Sequence, residues 1–252
     1  MLMYHAASPV SGRLRHLGVP ADLLVAQLGR LRDEGFLLVG LSEALRLADA
    51  EPNADIVALT FDDGYVDFIE AAVPVLRAVD ARATLYVPTA HVGRRAAWLG
   101  RAARELPRLL SWAQLRACVR SGRVEIGSHG HTHSHLDTLS SPALEREVAE
   151  SRRVLESTLD IAVTSFCYPH GYHSGTVREA VRAAGYRSAC EVGRRLRPAR
   201  ERWSVSRLAV GPTHDPPRLV REIRRGGPRL VPSAKRALQP AWRQARRRSV
   251  AI

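Results

Sequence analysis

Two groups of side chains in this sequence have the residue types that bind divalent cations and transfer protons. One is Asp62-Asp63-Gly64, and the other is a set of four alternating histidines between positions 129 and 135. Two adjacent carboxylates repel each other where solvent is excluded, because a like charge nearby raises one pKa. A divalent cation removes this conflict, since one carboxylate binds it while the other stays ionised and can act as a base. A simple turn is the alternative interpretation, because Asp and Gly both favour tight turns.

The spacing of the histidines allows two conformations. A strand would place all four on one side, whereas a helical turn would pair His129 with His133 and His131 with His135. Two imidazoles four residues apart can bind one ion, at about 2.0–2.1 Å per Zn–N bond. With Asp63 they make three protein ligands and leave one position open, as in catalytic zinc sites. The sequence therefore predicts a divalent metal ion, most simply zinc, on Asp63, His129 and His133. A solvated loop that binds nothing is the alternative.

The polar clusters follow apolar runs that have the length of strands. Asp62 follows Ile56–Phe61, the histidines follow Val124–Ile126, and Cys167-Tyr168-Pro169-His170 follows Val163–Phe166. Strand patterns alternate with helix patterns in about seven βα units, which is typical of an α/β fold with a parallel sheet. We expect an irregular seven- or eight-unit (β/α) barrel, with a doubly wound open sheet as the alternative. In both, side chains at the carboxyl ends of the strands meet at one rim.

The positive charge of the chain is concentrated at one end. The formal net charge is +13, and residues 218–252 contain eleven Arg and Lys against one Glu. We therefore divide the chain into a catalytic domain, 1–217, and a basic Arg-rich tail, 218–252. Such a tail can bind an anionic membrane surface or can simply be solvated. It lacks interleaved aromatic residues and any nucleic-acid-binding motif, so no specific nucleic acid is expected.

Composition and cysteine content limit the class of protein further. The chain is 45% hydrophobic and 25% charged, which is typical of a folded protein. No stretch approaches the ~18 apolar residues that span a bilayer, and no leader-like pattern follows Met1. The three cysteines are far apart and odd in number, which does not predict a disulfide framework. We expect a cytoplasmic protein, with a peripheral position at the inner membrane face as the alternative; the oligomeric state is not predicted.

Three segments together resemble the polysaccharide deacetylases, that is, carbohydrate esterase family four or the NodB homology domain. The sequence Thr-Phe-Asp-Asp-Gly-Tyr at 60–65 is similar to the first family motif, Glu125 through His133 to the second, and Phe166 through Gly171 to the third. The resemblance covers about residues 2 to 215. It implies a NodB-type barrel in which Asp62 is the catalytic base and Asp63, His129 and His133 bind the metal ion. It also implies an oxyanion site that uses strand-end backbone near His170.

The sequence departs from the family pattern at three positions. Gly130 replaces a Ser or Thr that orients the neighbouring histidine. Cys167 replaces an Arg that pairs with the catalytic Asp in many members, so Asp62 must be held differently, with Arg207 as the candidate partner. His170 replaces a Tyr, which is compatible with the oxyanion role if only the backbone N–H is used.

The general acid of the family is not supplied in its usual place, because no Leu-x-x-His sequence occurs near the C-terminus. Some circularly permuted biofilm-polymer deacetylases of the family take the acid from an N-terminal Tyr-His pair, to which Tyr4-His5 is similar. His5 is therefore the candidate acid, ahead of His214 and His135. A core histidine on the first strand is the alternative interpretation.

The resemblance implies a metal-dependent hydrolase that removes N-acetyl groups from an amino sugar, with an N-acetylated glycan or glycan precursor as its substrate. Within the enzyme class, the alternatives are an O-acetyl esterase and an amidohydrolase that acts on small cyclic amides. Outside it, a degenerate relative that binds glycan without cleaving it would fit the departures at Gly130 and Cys167.

Overall fold

The fold of the chain is a closed barrel of seven parallel strands with an eighth strand outside it. The computed structural model describes residues 1–193 and 201–227. The strands are β1 Leu2–Tyr4, β2 Leu37–Val39, β3 Ile56–Phe61, β4 Ala83–Val87, β5 Val124–Ser128, β6 Ser165–Cys167, β7 Ser188–Val192 and β8 Val205–Ala209. β1 pairs with both β3 and β8, which closes the ring, and β2 pairs with β3 on the outside. The predicted α/β barrel is confirmed, and the open sheet is excluded.

Helices pack around the ring through apolar faces. Most of the connections between strands contain one helix, as right-handed parallel crossovers require. The helices are α1 Ala21–Asp33, α2 Leu41–Ala50, α3 Val73–Ala78, α4 Trp112–Arg120, α5 Ser141–Leu159, α6 Gly175–Ala183 and α7 Pro216–Arg224. α4 begins at a capping box, in which Ser111 and Gln114 satisfy each other's backbone N–H groups. The π-helical turn Phe68–Ala72 leads into α3 just after the Asp-Asp-Gly segment.

The interior of the barrel is apolar at the amino end of the strands and polar at their carboxyl end. Apolar residues of α2 pack with inward-facing strand residues, among them Ala58, Tyr86 and Val205, and close the amino end. Towards the carboxyl end the same strands carry polar interior residues, including Thr60 and the fully buried Arg207. The carboxyl rim is therefore the end at which charged groups are held.

The C-terminal region crosses the expected domain boundary as a helix. α7 packs on α1, with Leu219 and Val220 buried, and the Gln27 side-chain amide donates to the His214 carbonyl. The rest of the predicted tail, 228–252, lies outside the described residues, so both the division at 217 and the membrane-surface interpretation stay predictions. No helix within the described ranges is long and apolar enough to cross a membrane. All three cysteines are buried and free.

Candidate active site

All the site residues predicted from the sequence lie on one rim of the barrel. Asp62 and Asp63 follow β3, His129 follows β5, and His5 follows β1. His170 lies in the 3₁₀ turn Pro169–Gly171 that follows β6. The strands are parallel, so their carboxyl ends meet, and the structure brings these residues together as the strand pattern predicts.

Asp63, His129 and His133 form a buried cluster. One donor atom from each lies within 4.8 Å of the others. The Nε2 atoms of His129 and His133 lie 3.5 and 3.4 Å from Asp63 Oδ1. Two imidazole nitrogens and one carboxylate oxygen that converge in this way are a common donor set for zinc. The residues present therefore fit a divalent cation, although the identity of the ion follows only from the chemistry of the donors.

A hydrogen bond from outside the cluster orients His129. Its Nδ1 lies 2.8 Å from the backbone carbonyl oxygen of Cys167. A carbonyl oxygen only accepts, so Nδ1 carries the hydrogen and the Nε2 lone pair faces Asp63. Burial lowers the pKa of His129 to about 4, which keeps the ring neutral near pH 7. Both properties suit a metal ligand.

The segment that joins the two histidines is a loop, so neither a strand nor a helical turn pairs them. Gly130 and His133 both have left-handed backbone conformations, with φ of 77° and 62°. The Thr132 hydroxyl and backbone N–H both donate to the carboxylate of Glu147, a buried residue of α5. This anchor on α5 holds the loop in a conformation that brings His133 back to His129.

Asp63 is held by its neighbour two residues along the chain. It also has a left-handed conformation, with φ of 71°. The hydroxyl of the buried Tyr65 donates to Asp63 Oδ2 at 2.8 Å. Because one carboxylate oxygen accepts this bond, the other, Oδ1, is left facing the two imidazoles.

Asp62 forms a buried ion pair with Arg207 of β8. Nη1 and Nη2 of Arg207 lie 2.6 and 2.8 Å from the two carboxylate oxygens. Burial alone would raise the pKa of Asp62, but the guanidinium outweighs it and holds that pKa below its usual value. The Cys167 thiol lies 3.6 Å from Asp62 and 2.9 Å from Arg207. The expectation that Arg207 replaces the missing family arginine is confirmed, and Asp62 is ionised at neutral pH.

The two remaining candidates lie beside the cluster. His5 is half-buried and directly follows β1, whose last residue, Tyr4, accepts a hydrogen bond from the Asp62 N–H. His170 is exposed, with a left-handed φ of 58°, and its ring stacks on His135 at 3.9 Å between centroids. Their roles in catalysis stay predictions. The alternative acid His214 is engaged elsewhere, since it accepts from the Gly211 N–H and lies 3.5 Å from Glu222 of α7.

Sequence reasoning missed two residues that touch the site. Glu147 anchors the histidine loop, and the indole of Trp98 stacks on His133. Glu147 is one of several acidic residues in α5, and Trp98 lies in the 3₁₀ segment Ala97–Glu105, which has no strand or helix pattern. Neither the residue type nor the spacing distinguishes them, because their partners are brought close only by the fold.

The chain belongs to the polysaccharide deacetylase family. The family model described as Polysaccharide deacetylase matches residues 49–189, which include the Asp-Asp-Gly segment, the histidine loop and the His170 turn. The expectation drawn from the three motifs is thus confirmed at the level of the family.

Individual relatives share the fold over most of this chain. YxkH of Bacillus subtilis (strain 168), named for the same family, is 28% identical over 188 residues, or 74% of this chain and 61% of YxkH. The deacetylase PplD of Streptococcus pyogenes, solved in complex with acetate, superposes with a TM-score of 0.74 at 25% identity, covering 87% of this chain and 95% of PplD. IcaB of Ammonifex degensii superposes with a TM-score of 0.73 at 24% identity, covering 87% of this chain and 94% of IcaB, and indicates the fold alone.

Proposed function

We propose that this protein is a metal-dependent hydrolase that removes N-acetyl groups from an amino sugar in a polysaccharide or glycan precursor. The observation that carries the proposal is the convergence of two imidazole nitrogens on Asp63 Oδ1, beside a second carboxylate that is buried and ionised. Asp63, His129 and His133 would hold a divalent cation, with zinc favoured by the donor set. A cation there would supply Lewis-acid chemistry, lowering the pKa of a bound water towards ~7 and polarising the acetyl carbonyl.

The residues around the proposed metal centre can divide the proton transfers between them. Asp62 is ionised and fixed by two hydrogen bonds from Arg207, so it can accept the proton of the attacking water. His5, the residue that follows β1, would donate a proton to the departing amine. A backbone N–H at His170 would stabilise the oxyanion, a contribution of about 10² to 10³ in rate for one such donor.

The test combines metal binding with product release. Metal-free protein is titrated with Zn²⁺, and acetate release is then measured on a panel of N-acetylated and O-acetylated oligosaccharides. Acetate from the N-acetylated members supports the proposal. Release from the O-acetylated members alone identifies an esterase, and opening of small cyclic amides alone identifies an amidohydrolase. Bound zinc with no turnover of any member would favour a glycan-binding protein without activity.

The substitution Asp62→Asn tests the assignment of the base. The amide keeps the shape of the carboxylate but does not accept a proton, so we expect turnover to fall by about 10² to 10⁴ while zinc stays bound. The exposed Asp55 provides the matched control, since Asp55→Asn makes the same chemical change directly before β3, at the opposite end of the strand from Asp62. Unchanged turnover in Asp62→Asn with zinc bound would show that the mechanism is wrong.

A further inference from the structure

The two candidate imidazole ligands are oriented by different means. His129 donates from Nδ1 to a backbone carbonyl, as metal-binding histidines usually do. His133 is equally buried, with 5% of its surface exposed, yet within the described ranges its Nδ1 has no hydrogen-bond partner. His133 lies in the loop, with a left-handed φ of 62°. Some other contact must therefore fix the direction of its Nε2.

That contact is aromatic. The indole of Trp98 lies face to face with the His133 ring, with centroids 4.1 Å apart and planes inclined by 17°. The rings of His129 and His170 also contact the His133 ring, at centroid distances of 4.7 and 4.6 Å. Both of their planes are nearly perpendicular to the plane of His133. The imidazole is thus enclosed by rings, and rotation about its side-chain bonds would break the stack. An imidazole that shares its lone pair with a cation becomes electron-poor, which strengthens its attraction to the electron-rich face of an indole.

Trp98 is itself held by a small apolar cluster on the same side of the barrel. The cluster contains Trp98, Leu106, Leu109 and Tyr65 among its members. Tyr65 forms an isolated β-bridge with Leu109 and donates its hydroxyl to Asp63. One packed unit therefore supports two of the three candidate ligands, Asp63 through a hydrogen bond and His133 through a stack.

We propose that Trp98 is a positioning residue, which orients His133 for metal binding by stacking on its ring in place of a hydrogen bond to Nδ1. The inference rests on the proposed metal centre at Asp63, His129 and His133. It assigns to the segment after β4 a function in the site that neither its sequence pattern nor its secondary structure indicates.

The experiment compares aromatic and aliphatic replacements at this position. Zn²⁺ affinity is measured on the full chain by competition with a chromogenic chelator, for the wild type, Trp98→Phe and Trp98→Leu. We expect Trp98→Leu to weaken zinc binding about tenfold, the lower end of the range seen when residues that support ligands are removed, and Trp98→Phe to stay within about threefold. Trp112→Leu is the matched control, because Trp112 packs against the main core at the start of α4, and it should leave zinc affinity unchanged.

A second readout separates positioning from folding. Co²⁺ is bound in place of zinc, and its visible absorption reports the ligand geometry. The spectrum should change in Trp98→Leu and be preserved in Trp98→Phe, while thermal unfolding of the metal-free proteins shows that both fold. If Trp98→Leu does not fold, Trp98→Met serves the same comparison.

The outcomes distinguish this inference from the proposed function. Wild-type affinity and an unchanged cobalt spectrum in Trp98→Leu would overturn the positioning role and leave the metal centre intact. Equal losses in the Phe and Leu variants would also overturn it, because stacking would then not be the cause. A wild-type protein that binds neither Zn²⁺ nor Co²⁺ would overturn the metal centre itself, and this inference with it.

Discussion

Asp62 is both buried and charged, and it keeps this state because of a residue 145 positions further along the chain. A lone buried carboxylate is protonated or destabilises the fold, since burial disfavours the charged form. Arg207 supplies two short hydrogen bonds and a full positive charge in an interior from which water is excluded. The Cys167 thiol lies beside the pair, 2.9 Å from Arg207 Nη2. The charge of the proposed base is thus maintained by an ion pair across the barrel interior, from β8 to the end of β3.

Replacing Arg207 should change the pH dependence of the proposed deacetylation. The guanidinium lowers the pKa of Asp62 and burial raises it, so in Arg207→Met that pKa should rise above its usual value. The base must be ionised to act, and the acidic limb of kcat/KM should therefore move to higher pH. Removing one partner of a buried pair should also destabilise the fold by about 3–5 kcal/mol. The pH profile of acetate release and urea unfolding measure the two effects. Arg207→Lys keeps the charge and serves as the control. If the acidic limb of kcat/KM in Arg207→Met stays at the wild-type pH, Arg207 does not set the pKa of Asp62.

Asp67 provides a second pH dependence, this time in stability. Its side chain is buried, one oxygen accepts from the Ser8 hydroxyl, and burial raises its pKa to about 6. Because the folded pKa lies above the unfolded value of 3.8, this group stabilises the fold fully below about pH 4, and that contribution is lost as the pH rises through 6.

We expect the permanently neutral Asp67→Asn to gain stability over the wild type between pH 4 and 7. One pKa unit corresponds to about 1.4 kcal/mol, so the relative gain should reach roughly 2–3 kcal/mol. Urea unfolding at several pH values measures it, with Asp22→Asn as the exposed control. A difference between wild type and Asp67→Asn that is constant with pH would refute the assignment.

At the level of elements, the sequence predicts strands better than it predicts the loops that carry the candidate metal ligands. The apolar run at 56–61 coincides with β3, because a strand buried on both faces has a continuous apolar sequence, and the run at 124–126 lies within β5. β2 was not predicted, since three residues are too few for a periodic signal. His129 and His133 lie together, as their four-residue spacing predicts, but a loop rather than a helical turn brings them together. Its left-handed residues are stabilised by contacts with α5, which no local pattern shows.

The effect of the Glu147 anchor on the histidine loop should be measurable as a change in zinc affinity. Glu147 accepts from both the hydroxyl and the N–H of Thr132, and within the described residues it pairs with no Arg or Lys. In Glu147→Ala the loop loses these bonds and the Thr132 N–H loses its acceptor. We expect zinc affinity to fall by about tenfold or more, measured by chelator competition. Glu150→Ala is the control on the same helix, because Glu150 bonds to the exposed Arg153. Equal affinity in the two variants would show that α5 does not hold the loop.

At the level of the whole molecule, closure of the barrel is what makes the site. β1 pairs with both β3 and β8, so the end of β1 lies beside Asp62, whose N–H donates to the Tyr4 carbonyl. His5 therefore follows a strand that lies between the strand before Asp62 and the strand of Arg207, although His5 and Arg207 are 202 positions apart in the chain. Periodicity predicts that strands are parallel but carries no information on which strands meet. For this reason the motif residues could be predicted from the sequence, whereas the packing around them, Trp98 and Glu147 included, could not.

The packing of α7 on α1 bears on where the folded domain ends. A chain that stops at Pro217 follows the boundary expected from charge, whereas one that stops at Gly227 keeps α7. Burial of Leu219 and Val220 against α1 contributes about 1.5–3 kcal/mol for each side chain, and α7 also supplies Glu222 beside His214. The chain ending at 217 should therefore unfold several degrees below the chain ending at 227, as measured by circular dichroism. Equal midpoints for the two truncated chains would place the domain boundary at 217, because α7 would then be an appendage that the barrel does not need.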